Sequence, residues 1–68
     1  MHISEYNLDL NRIAERMIEA RFITDPALAD KAGVEITEAI NTLARHTNKD
    51  AGAIMLRCIN YSHRKLVG

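Results

Sequence analysis

The sequence predicts an all-α fold: a small domain of three to four helices with a central helix-turn-helix corner. Three observations predict it. Apolar residues recur at three-four spacing from Leu8 to Leu66, and no stretch sustains the alternation of a half-buried strand. Helix start and stop signals fall at Asp25-Pro26, Gly33 and Asn48-Lys49-Asp50. At 68 residues the chain reads as a single helical domain, residues 1–68. A domain of this size buries only about 60% of the surface its unfolded chain exposes.

The first helix is expected after Asn7, whose side chain can cap free amides, with Ser4 as a rival cap. Asp9 then sits in the positive first turn. Leu10, Ile13, Ala14, Met17, Ile18 and Phe22 share one side, and Arg12, Glu15, Arg16 and Glu19 take the other at pairing distances. Pro26 disfavours helical geometry at Asp25, so this helix ends near Thr24. Asp25-Pro26 reads as an N-cap followed by proline at the first helical position. A short second helix is expected over residues 26–32, stopped by Gly33 in a left-handed conformation. The third covers residues 35–46 on Ile36, Ala39, Ile40 and Leu43. Asp50 or Asn48 caps a fourth, through about Leu66, with Ile54, Met55, Cys58, Ile59, Ser62 and Leu66 as its buried side. Gly52 in its first turn is a mild weakness, and Tyr6 and Phe22 are expected to close the ends of the core.

Nine acidic and nine basic residues cancel in net charge, but they are unevenly placed. Residues 1–40 carry eight acids against four bases, and residues 41–68 five bases against one acid, so the two parts stand at −4 and +4. Either the parts lie against each other or against a second copy and neutralise, or the basic C-terminal surface awaits an acidic partner. Cys58 is the only cysteine, which excludes a disulfide within the chain and fits a reducing cytoplasm. No apolar run approaches the roughly 20 residues of a membrane span. The N-terminus lacks the basic and apolar regions of a secretory signal.

Within residues 28–45, Leu28-Ala29, Ala32-Gly33-Val34, Ala39 and Leu43 resemble the helix-turn-helix of repressor-type DNA-binding proteins. Such motifs need a small residue where the helices cross (Ala29), a glycine in the turn (Gly33) and an apolar residue closing onto the core (Val34). The resemblance implies that the second motif helix enters a major groove, with Glu35, Ile36, Thr37, Glu38, Ile40 and Asn41 near nucleic acid. Thr37 and Asn41 are acceptable base readers. Arg45, Arg57, Arg64 and Lys65 complete this DNA-binding set. Against it, two glutamates face phosphate, and a neutral chain supplies little of the counterion release that drives DNA affinity.

Exposing Ile36 or Ile40 wastes burial worth about 1.5–3 kcal/mol per side chain. They therefore pack either in the chain's own core or at a seam with a second copy or another protein. The stripe Arg57, Asn60, Tyr61, Arg64 and Lys65 sets an aromatic among charges and is either a nucleic-acid contact or a solvated face of the C-terminal helix. No nucleophile–base motif or phosphate-cradling glycine loop is present, and His46, Cys58 and His63 match no zinc spacing. The expectation is no enzyme, no cofactor and no metal. The leading reading is a small cytoplasmic regulatory protein, homodimeric, acting by helix-mediated binding to another protein such as a transcription factor. Ile36, Ile40 and Leu43 are its apolar contact, and Arg57, Tyr61 and Arg64 its polar anchors. The alternative is a dimeric helix-turn-helix regulator that reads DNA.

Overall fold

Two aspartates start two of the three helices in the computed structural model, which describes residues 5–67. The helices are α1 (Glu5–Arg21), α2 (Pro26–Thr47) and α3 (Ala51–Val67), and no strand occurs among the described residues. Asp25 is extended, and its Oδ1 accepts from the Ala27 amide at 2.9 Å, with Pro26 at the first helical position. Asp50 does the same for α3, its Oδ2 accepting from the Ala53 amide at 3.0 Å. Each carboxylate satisfies a donor the helix itself leaves free and places negative charge at a positive helix end. Asn7 is not a cap: it lies inside α1, where its carbonyl accepts from Asn11 Nδ2 at 3.0 Å. Ser4, the rival cap, lies outside the described residues.

The helix-turn-helix corner is not there. Residues 26–47 form one uninterrupted helix, about 33 Å long at 1.5 Å per residue, and the expected second and third helices are its two halves. Gly33 has no positive φ, and its carbonyl accepts from Thr37 Oγ1, one turn on, at 2.9 Å. The left-handed residue is Asn48 instead (φ 54°, ψ 41°), which ends α2. Beyond it the Lys49 amide donates back to the Ala44 carbonyl at 3.1 Å, an αL termination that asparagine tolerates.

Side-chain pairs give the helix directions. Arg16 of α1 meets Glu35 of α2, and Tyr6 and Asp9 share a groove with Leu43 and Thr47, so α1 and α2 run antiparallel. Lys65 of α3 meets Glu15, and Lys49 lies over the Tyr6 ring, so α1 and α3 run parallel. Each helix contacts the other two, and the Cα trace measures 37 × 29 × 16 Å. One core cluster joins all three: Leu10 and Ile13, Ile40 and Leu43, Ile54 and Cys58, with Tyr6, Met17, Ile36, Ala44, Ala51 and Tyr61 packed around it. Ser62 is buried too, its hydroxyl donating to the Ile59 carbonyl at 2.7 Å. Tyr6 helps close the core as expected, whereas Phe22, in the turn after α1, is exposed.

Candidate functional site

Of the apolar contact expected on α2, two residues are taken by the fold. Ile40 is 1% exposed and Leu43 7%, both facing α1 and α3 across the core, so neither is free to meet a partner. Ile36 is half-buried at the edge of the same cluster. The physical reason is the three-four spacing of 36, 40 and 43, which keeps them on one line of a single straight helix. That line covers the core. The DNA-reading positions Thr37, Asn41 and Arg45 are exposed, on a side they share with Val34 and Glu38. They stand on a continuous helix, without the separate preceding helix that seats such a motif across a groove.

Leu8, Phe22, Leu28 and Val34 are exposed singly, whereas on α3 the exposed apolar residues line up. The core side of α3 is Ile54, Cys58 and Ser62, with Ala51 and Tyr61 beside them. Met55, Ile59 and Leu66, expected on that side, are instead 41%, 45% and 42% exposed. They form a stripe with Leu56 at 64% and Val67 at 76%. Positions 52, 55, 56, 59, 63, 66 and 67 recur at three-four spacing and so share a side of the helix. The stripe therefore runs the length of α3, interrupted only by the small Gly52 and by His63.

Arg57, Asn60 and Arg64 form an exposed row between this stripe and Tyr61. Sequence reasoning grouped five residues here, and the structure separates them. Tyr61 is half-buried against the core, and Lys65 Nζ reaches Glu15 Oε1 at 3.5 Å. Among the described residues Arg57 and Arg64 form no ion pair. The two oppositely charged parts of the chain thus meet in one ion pair, Lys65–Glu15, while the guanidinium row faces solvent.

The Cys58 thiol is buried, and burial pushes its pKa up because the thiolate loses its hydration there. It is held as a neutral, packed side chain. No group of three His, Cys, Asp or Glu side chains able to hold a metal ion occurs among the described residues. A groove of about 730 Å³ between α1 and α2 is lined by Tyr6, Arg12, Thr42 and His46, among others. Its charged pair, Arg12 and Asp9 at 4.0 Å, is an exposed contact within α1.

No described helix is long and apolar enough to cross a membrane. The chain is thus a small all-α domain of three packed helices, with one apolar helix face left uncovered beside a basic row. Comparison with family models, with curated proteins and with solved structures found no match.

Proposed function

We propose that the chain is a small regulatory protein acting by helix-mediated protein–protein binding, through the outer side of α3. The observation that carries this reading is the uncovered stripe of Met55, Leu56, Ile59, Leu66 and Val67 alongside Arg57 and Arg64. Fully covering one large apolar side chain is worth about 1.5–3 kcal/mol. These five are partly covered already, 41% to 76% exposed, so each offers only that share of it. An apolar strip rimmed by polar groups is the usual mark of an interaction surface. Arginine at its edge adds a group enriched among the energetic centres of interfaces.

The expected apolar contact thus moves from α2 to α3, while the anchors Arg57 and Arg64 stay in place. Tyr61, expected as the third anchor, is half-buried against the core instead. Binding here holds or masks a surface of the partner, and the small domain brings no chemistry of its own. A pull-down from cytoplasm, run with and without nuclease, tests this. The expected result is a set of proteins captured in both arms by wild type and lost with Ile59→Asp. Capture that vanishes with nuclease assigns the surface to nucleic acid and removes the reading.

A further inference from the structure

We propose that the outer side of α3 receives an apolar helix whose rim is lined with carboxylates, supplied by a different protein. The proposal rests on the protein-binding reading above and adds the partner's shape and charge. Between Ala51 and Val67 there is no aspartate or glutamate. Arg57 and Arg64 stand two turns apart on one side, about 10 Å along the axis, and among the described residues no carboxylate pairs with them. Carboxylates spaced by one or two turns on a partner helix meet that repeat, and guanidinium takes carboxylate through paired hydrogen bonds.

The apolar part agrees with a helix as occupant. The stripe is straight, runs about four turns and is only a few side chains wide, which suits a second helix lying alongside. The other occupants fit less well. A second copy presenting the same side brings the two basic rows together with no acid between them. A nucleic-acid backbone pairs with Arg57 and Arg64 but leaves Met55, Leu56 and Ile59 wet. A bilayer surface favours a helix with a broad cationic polar face, whereas α3 turns that side into its own core.

The test uses the full chain and two labelled synthetic peptides of about 17 residues with the same leucine stripe, one rimmed with Glu and one with Lys. Fluorescence anisotropy should show the Glu peptide binding at least about tenfold more tightly than the Lys peptide, with the gap narrowing as salt rises. Arg57→Glu with Arg64→Glu should invert the preference, and Ile59→Asp should weaken both peptides. Equal binding, binding of neither peptide, or an unchanged preference in the charge-reversed variant overturns the proposal. So does tighter association with anionic phospholipid vesicles or random duplex DNA than with the Glu peptide. Sedimentation showing self-association that Ile59→Asp abolishes overturns it in favour of a second copy. Failure of the peptides while Ile59→Asp still loses the captured proteins removes this proposal and leaves the protein-binding reading in place. Unchanged capture by Ile59→Asp removes the protein-binding reading as well.

Discussion

Arg16 donates from Nη2 to the Glu35 carboxylate at 3.0 Å, tying α1 to α2 across nineteen residues of chain. Its other terminal nitrogen, Nη1, holds Glu19 one turn on, also at 3.0 Å. Glu35 first, and then Glu19, raise the Arg16 pKa above its ordinary value, so the cation is favoured throughout the accessible pH range. The arrangement is nonetheless wet, with the Arg16 and Glu35 side chains 42% and 46% exposed. Solvent screens such pairs, and their net worth is small. Arg16→Gln and Glu35→Gln should each lower the urea midpoint by a small fraction of what a core truncation does. The difference from wild type should disappear at about 1 M salt. A large, salt-insensitive loss in either variant contradicts this.

Gly33 is the second test of the fold. A Cβ built there meets nothing within 4 Å, and the residue sits inside a continuous helix. Glycine costs about 1 kcal/mol relative to alanine in such a position, chiefly through the entropy of the unfolded chain. Gly33→Ala should therefore stabilise the protein by about 0.5–1 kcal/mol, read from chemical denaturation. In a helix-turn-helix corner with Gly33 in the left-handed conformation, the same change strains the turn and destabilises. The sign of one measurement separates the two structures.

That contrast also explains which boundaries were legible in the sequence. Asp25-Pro26 and Asp50 announce helix starts because each puts an acceptor where free amides need one, and both do so in the structure. Gly33 announces only a possible stop. A helix beginning at Glu35 needs a cap before it, and Val34 has no acceptor to offer. Ala29, Lys31, Ala32, Glu35, Glu38 and Ala39 meanwhile favour continuation. Spacing found the line of Ile36, Ile40 and Leu43, but periodicity says only that residues share a side, not what covers it. In α3 apolar residues occupy more than one side, so the pattern alone did not separate Ile54 and Cys58 from Met55 and Ile59. Contacts with α1 and α2 make that choice. Arg57 and Arg64 were legible from charge alone, whereas the pairing of Lys65 with Glu15 needed the parallel placement of α3 on α1.

Ile40 and Ile59 are the same residue type in opposite surroundings, 1% and 45% exposed. Ile40→Ala opens a cavity at the meeting point of three helices and should cost about 2–5 kcal/mol. In a domain this small that is enough to leave much of the chain unfolded. Ile59→Ala removes partly solvated methyl groups and should cost less than about 1 kcal/mol. Circular dichroism melts of the two variants check this directly. Ile59→Ala unfolding as readily as Ile40→Ala assigns Ile59 to the core and withdraws it from any binding surface.

Cys58 gives the chain a pH dependence with a definite sign. The folded state holds the thiol proton to higher pH than the unfolded state, because the thiolate loses hydration among Leu10, Ile40 and Ile54. A raised folded pKa means that the unfolded chain releases its proton first. The contribution is complete below the ordinary thiol pKa and is lost as pH rises through it toward the folded value. Asp50, Arg57, Arg64 and Lys65 bring their own charges to α3 or its cap, so wild type alone is not diagnostic. The diagnostic quantity is the stability difference between wild type and Cys58→Ala, from urea titrations between about pH 7 and about pH 10. Wild type should be the more stable at pH 7, and its advantage should shrink steadily on the alkaline side. In parallel, a thiol reagent should modify native Cys58 far more slowly than the urea-unfolded chain, because the thiolate is the reacting form. A difference that stays constant or grows with pH, or native labelling at the unfolded rate, places the thiol in water rather than in the core.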